Sequence, residues 1–321
     1  MKKVILTFCL IITMSCCVYS QRPTFAQVLN AAQEGDVNAY RWLGLFYASG
    51  EGTNINYPEA IKWFKKAIEN GFNEYSSIGD CYIGLNNYSE AISSYKKAIE
   101  NGDNNAYYGL GNCYMGIENY TAAIECYKKV AYFDKHAYSY IAMCYNYLKN
   151  YSECINNYKM AIENGDTSAY LMLGFVYGDI ERYQDGIKYL KKAYEIETEE
   201  RPRILSRLCL YYENIDSPIE AISWFNKAIE YDVTEGYNGL AHMYFYGKNL
   251  KKDVNEALKL ISKALALDEN DVFILDTKGE FLYKIGKIDA AKKIYNKILQ
   301  IEPDHYKDNT STFFELIKKS L

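Results

Sequence analysis

Histidine is scarce in this 321-residue chain: His136, His242 and His305 are the only three, and they lie too far apart in sequence to form a local metal-ligand motif. A serine nucleophile elbow, a phosphate-binding glycine loop and a zinc-protease helix motif are also missing. The sequence therefore indicates neither metal catalysis nor a cofactor, and Gly50-Glu51-Gly52 is a lone glycine pair in a loop. Positive charge is in deficit as well, with 36 Lys and Arg against 41 Asp and Glu, a formal charge of -5. Loss of the first twenty residues would remove two positive charges, Lys2 and Lys3, and leave -7. Phosphate binding needs clustered positive charge, so nucleic acid is not an expected partner.

What the chain has in excess is tyrosine, 34 residues of it, and a unit that repeats. Residues 75–102, YSSIGDCYIGLNNYSEAISSYKKAIENG, read as two short helices joined by a tight turn. Tyr75, Ile78, Gly79 and Tyr82 form one apolar stripe at helical spacing; Tyr88, Ala91, Ile92, Tyr95 and Ala98 form another. Helices of about a dozen residues are marginal alone and cannot bury both stripes without neighbours, so the unit predicts its own repetition.

The small residue of the second helix recurs at Ala60, Ala91, Ala123, Cys154, Gly186, Ala221, Ala257 and Ala291, in steps of 31, 32, 31, 32, 35, 36 and 34 residues. The first helices match it with Gly44, Gly79, Gly111, Ala142, Gly174, Cys209, Ala241 and Gly279, followed three residues later by Tyr in seven copies and Leu282 in the eighth. Small residues on facing helices allow close backbone approach, and the aromatic ring fills the space beside them. Twenty-two of the 34 tyrosines fall in four slots of the repeat, which makes them core architecture.

The pattern aromatic-x-x-Leu-Gly-x-x-Tyr, then Ala-x-x-x-aromatic, resembles the tetratricopeptide repeat, and Pro303 keeps that family's terminal proline. The first and seventh copies resemble the related Sel-like repeat, since sixteen residues separate Gly44 from Ala60 and Ala241 from Ala257, against twelve in the other six. The resemblance implies an all-α fold, a right-handed α-α superhelical solenoid of about eight helix-turn-helix repeats with terminal capping helices. Such solenoids serve many partners, so the fold by itself does not name a function.

Taken in order, residues 1–20 carry Lys2 and Lys3, an apolar run at 4–14 and then small and polar residues, the pattern of a secretory signal. Two processing routes are open, cleavage between Ser20 and Gln21 or lipidation of Cys16 within a loose lipobox; the second would be the only membrane attachment expected. Residues 21–37 form an N-terminal capping helix, 38–200 repeats one to five, 201–305 repeats six to eight, and 306–321 a C-terminal capping helix. The acidic stretch 195–202, EIETEERP, predicts a kink or hinge. Thr312 to Glu315 reads as a capping box opening the last helix. Its Phe313, Phe314, Leu316 and Ile317 are expected to cover the end of the last repeat, with membrane contact as the alternative.

Six cysteines lie beyond the signal segment. Cys81, Cys113 and Cys144 share one slot, and Cys154 and Cys209 occupy small-residue slots, so they read as small buried hydrophobes. Equivalent slots in adjacent repeats stand roughly 8–10 Å apart, too far for a disulfide; Cys144 with Cys154 is the pair placed to bridge. Paired lysines such as Lys65-Lys66 and Lys128-Lys129 are expected on a solvated outer face, with weak pairs such as Lys65 to Glu69. Asn87-Tyr-Ser89, Asn119-Tyr-Thr121 and Asn150-Tyr-Ser152 match a glycosylation sequon, but Ser89, Thr121 and Ser152 sit where second helices start, so helix capping explains them.

In tetratricopeptide arrays the first helices line a concave trough, and the resemblance implies ligand contacts at the equivalent positions Tyr108, Asn112, Met115, Ser139, Met143, Tyr147, Leu171, Phe175, Leu210, His242 and Phe245, with Ser206 and Tyr283 in the same row. The family's lysine and asparagine clamp for a C-terminal carboxylate is not reproduced, because Tyr108 stands in place of the lysine. An extended peptide or partner helix suits such a wall. The expected function is an exported, non-enzymatic protein- or peptide-binding scaffold of the cell envelope or exterior. A carbohydrate-binding accessory protein is the alternative, recognisable by coplanar tyrosines outside the core slots. A Sel-like hydrolase acting on β-lactams would need a nucleophile and its base in one pocket, and the cysteine spacing does not follow that family.

Overall fold

The computed structural model describes residues 23–215, 217–306 and 311–319. Within them are eighteen α-helices and no strand. A leading helix, α1 (Phe25–Gln33), precedes eight pairs. They are α2 (Val37–Ser49) with α3 (Tyr57–Glu69), α4 (Tyr75–Gly84) with α5 (Tyr88–Glu100), α6 (Ala106–Gly116) with α7 (Tyr120–Val130), and α8 (Ala137–Tyr147) with α9 (Tyr151–Glu163). Then follow α10 (Ala169–Asp179) with α11 (Tyr183–Ile196), α12 (Arg201–Glu213) with α13 (Pro218–Glu230), α14 (Thr234–Tyr246) with α15 (Val254–Leu267), and α16 (Val272–Lys284) with α17 (Ile288–Ile301). The terminal helix is α18 (Thr312–Lys318). All sixteen small-residue slots are buried. The expected processing sites at Cys16 and Ser20 lie outside the described residues.

Packing divides the chain into two compact units, residues 1–154 and 155–321. In the first, Thr24 caps α1 in a reciprocal box with Gln27, and Val28 and Ala32 bury against Ala39, Leu43 and Phe46. The second helices then begin on asparagine: the side chains of Asn56, Asn87, Asn119 and Asn150 accept from the amides of Glu59, Glu90, Ala122 and Glu153. The cap is thus the asparagine of each sequon, not the hydroxyl residue two positions later, because only the residue outside the first turn has its side chain free to reach back to those amides. The tight turns within these pairs place Asn86, Glu118 and Lys149 at left-handed φ of 56°, 60° and 56°. Cys144, the partner proposed for Cys154, is a free buried thiol.

Close approach at the small slots has a specific cause. A Cβ on Gly79 would lie 2.8 Å from the Tyr95 ring, and one on Gly111 would lie 2.7 Å from Tyr127. Tyr95 and Tyr127 are 2% and 0% exposed, so the aromatic of the second helix lies flat on bare backbone of the first.

In the second unit one buried cluster extends from Leu171 through Leu190, Ala193, Ile204, Leu205 and Leu208 to Phe281. Residues 197–200, where the sequence predicts a kink or hinge, form the short turn between α11 and α12, and side chains on both sides of it belong to that cluster. Phe313 and Ile317 of α18 are fully buried with Leu275, Ala291 and Ile298, and the Phe313 ring occupies the space a Cβ on Gly279 would need, 2.3 Å away. The last helix therefore covers repeat eight. Its N-cap is Ser311, which accepts from Phe314 N at 3.0 Å, one residue earlier than the Thr312 box expected from sequence.

Candidate functional site

Tyr108 and Asn112 come together in the first unit, on a pocket of about 280 Å³ between α4 and α6. Tyr95, which presses on the Gly79 slot, lines the pocket, and Tyr127, which presses on the Gly111 slot, holds Asn112 from behind. Tyr127 Oη donates to Asn112 Oδ1 at 2.7 Å, and Tyr95 Oη donates to Asp80 Oδ1. Asp80 and Asn112, the residues after Gly79 and Gly111, are thereby each held by a phenol from the second helix of their own pair. Asp103, from the linker before α6, accepts from Ser76 Oγ at 2.5 Å. Burial pushes the Asp80 carboxyl up, against the Tyr95 hydrogen bond, and the Asp103 charge adds to the rise. Among the described residues no cation forms an ion pair with Asp80 or Asp103. Tyr108 meets Tyr127 and Tyr140 edge to face, at 64° and 83°.

The remaining expected contacts are distributed unevenly. Met115, Ser139 and Met143 are half-buried on α6 and α8. Tyr147 is 57% exposed and stacks on Tyr120 with ring centroids 4.8 Å apart. In the second unit, the Phe175 ring is covered by the guanidiniums of Arg203 and Arg207 at 4.8 and 5.2 Å. Leu210 stands at the surface of α12. Leu171 and Phe245 are core residues, each 4% exposed, and are corrected from the wall to the interior. Leu171 belongs to the cluster of Leu205 and Leu208, and Phe245 stacks on Phe281 at 3.9 Å, so the next first helix covers both.

His242 lines a cavity of about 300 Å³ formed by α12, α13, α14 and their loops. Its imidazole is held below the usual histidine range by burial, opposed by Glu280. Glu213 lies exposed on the same wall; the protein packed around its carboxyl, helped by the Glu235 charge, pushes it up to about 7. No serine, threonine or cysteine is among the lining residues. Glu280, beside it on α16, accepts from Tyr246 Oη and pairs with Lys284 at 2.9 Å.

Asp80, Asp103 and Glu213 are acidic site residues absent from the row expected from sequence. Register alone could have found two of them: Asp80 follows Gly79 as Asn112 follows Gly111, and Glu213 stands four after Cys209 as Met115 does after Gly111; Asp103 lies in a linker, outside the helical register. The lysine pairs face outward as expected, with Lys65, Lys96, Lys97, Lys128 and Lys129 exposed. Their partners differ: Lys65 and Glu69 form no ion pair, whereas Lys128 pairs with Glu125 at 2.9 Å, three residues back.

Sequential helix pairs with a ligand-sized groove on the first helices define a helical repeat scaffold. The Sel1 repeat matches residues 37–72, 136–166, 209–230 and 234–269, and the tetratricopeptide repeat matches 78–139, 167–199 and 274–305. The chain is a mixed array of Sel1 and tetratricopeptide repeats, a class that typically mediates protein–protein interactions and is generally non-catalytic. Its fold is similar to the C-terminal part of a TPR repeat-containing protein from Cytophaga hutchinsonii, at 18% identity and TM-score 0.56 over 71% of this chain and 96% of that one. Other similar structures are a Sel1 repeat protein from Oxalobacter formigenes (19% identity, TM-score 0.48, 78% and 80% covered) and YrrB, described as a TPR protein with an unusual peptide-binding site (22%, 0.47, 57% and 97%). A comparison with curated proteins gave no match.

Proposed function

We propose that the protein is an exported, non-enzymatic scaffold that holds an extended polypeptide against its first helices. The observation that carries this reading is the pocket of α4 and α6, where Asp80, Asp103 and Asn112 place acceptors beside the Tyr108 ring. A peptide backbone supplies donors to such acceptors, and an aromatic anchor supplies most of the contact energy. Export rests on Lys2, Lys3 and the apolar run at 4–14. No described helix is long and apolar enough to cross a membrane. The carbohydrate alternative asks for several coplanar tyrosines outside the core slots; Tyr108 is nearly perpendicular to its neighbour Tyr140, and Tyr147 is parallel to Tyr120 alone, which belongs to a core slot. The hydrolase alternative asks for a nucleophile beside its base, and the walls of the Glu213 cavity hold no serine, threonine or cysteine.

Affinity capture with residues 21–321, compared with a Tyr108→Ala, Asp103→Asn variant of matched circular dichroism, tests the reading. A protein retained at least tenfold less by the variant is the expected result. Equal retention by both proteins moves the interaction away from this pocket, and enrichment of glycans alone replaces the reading with the carbohydrate one.

A further inference from the structure

The cavity of α12, α13 and α14 is a built site that the scaffold architecture does not use. Its volume, about 300 Å³, is at the lower end of ligand pockets and suits one long side chain. Phe225, Met243, Ile215 and Pro218 give it an apolar lining. Two polar groups in that lining are left unanswered. The Tyr212 hydroxyl is buried with no hydrogen-bond partner, on a residue 2% exposed. Glu213 has neither an ion pair nor a hydrogen bond among the described residues. Glu213 is exposed at the cavity wall, and a cation delivered there would give its carboxylate the counter-charge it lacks.

The charges that face Glu213 define the guest. Glu235 and His242 come from α14, and Lys248 from the loop behind it; α13 contributes only the uncharged Pro218 and Phe225 to the lining. Glu235 repels the Glu213 charge, His242 is held neutral, and Lys248, exposed, makes no ion pair with Glu213. The site therefore has a net deficit of positive charge next to an apolar, aromatic wall. An alkyl chain ending in a cation answers both, since such side chains lay their stems on apolar surface and their heads on carboxylates or rings.

We propose that this cavity receives a basic side chain, arginine or lysine, of the bound polypeptide, its stem against Phe225 and Met243 and its head on the Glu213 carboxylate. The assignment rests on the polypeptide-binding reading and adds to it a specificity pocket in the second unit. Guest binding requires ionised Glu213, and with that carboxyl at about 7 the ionised fraction falls about tenfold from pH 8 to pH 6. Protonation of His242 would weaken binding in the same direction.

The test uses the full chain with ¹³C-methyl methionine, the Met243 signal being assigned by Met243→Leu. Acetyl-Gly-Arg-Gly-amide is titrated beside its citrulline counterpart, which keeps shape and loses charge. The expected result is a saturable Met243 shift with the arginine peptide alone, a dissociation constant about tenfold larger at pH 6 than at pH 8, abolition by Glu213→Gln and tightening by Lys248→Met. An equal response to citrulline, or an arginine response that survives Glu213→Gln, overturns the assignment. Silence with both peptides overturns it too, and leaves the capture result at the α4 and α6 pocket standing. Loss of that capture with Met243 still responding removes the polypeptide reading instead.

Discussion

A glycine inside a helix normally costs stability against alanine, and here the sign reverses. Gly111 lies under the Tyr127 ring, and a methyl group would come within 2.7 Å of it. Overpacking costs about 1–3 kcal/mol, whereas the helix preference returns only about 0.5–1 kcal/mol. Gly111→Ala is expected to lose about 1–2 kcal/mol in urea unfolding; a gain would show that Tyr127 can move aside. The buried cysteines of α4, α6, α7 and α8 follow from burial in a comparable way. Desolvation pushes the Cys81 and Cys144 thiols up to about 12 and those of Cys113 and Cys126 up to about 11. Only thiolate reacts with a disulfide reagent. At pH 8 these four should stay unlabelled in the native protein and become labelled in guanidinium, as peptide mass mapping would read directly.

At the scale of one helix, α18 shows what sequence could and could not supply. Its apolar pair and its place after repeat eight announced a cap, because an exposed final stripe needs a cover. The starting residue was misplaced by one, since Ser311 and Thr312 are both competent N-caps and only the chain's approach to the helix decides between them. The first helices show a deeper limit. Tyr108 and Leu171 occupy the same slot of the repeat, as do Met115 and Phe245, yet within each pair one side chain reaches the surface of its helix and the other is core. The difference lies in the following first helix: Phe281 stacks on Phe245, and Leu205 and Leu208 join Leu171 in one cluster. Register within a repeat was legible from spacing; burial between repeats depends on which neighbour is large, and no single unit contains that information. Removing the cap makes the dependence measurable. Phe313 is fully buried, so Phe313→Ala is expected to cost about 3–5 kcal/mol locally. Amide exchange should quicken through α16, α17 and α18 while α10 and α11 keep their protection; uniform acceleration would mean that the second unit opens as one piece.

For the whole chain, spacing alone supplied the number of pairs, their order and both end caps, because eight in-phase copies leave few other ways to bury sixteen small-residue slots. The two pockets were only half legible. Tyr108, Asn112 and His242 were in the expected row, but their acidic companions Asp80 and Glu213 are sparse charges in a chain full of solvated ones, and only three-dimensional neighbours single them out. Within each unit most helices pack on their neighbours in sequence, and first helices touch the next first helix, as α4 touches α6 and α12 touches α14, while α18 packs mainly on α16. A chain whose contacts are this local has little loop-closure entropy to overcome before they form. Each pair can be in place soon after the next leaves the ribosome or a translocation pore, so little apolar surface waits exposed for a distant partner, and synthesis or transport can proceed at the pace of a single hairpin.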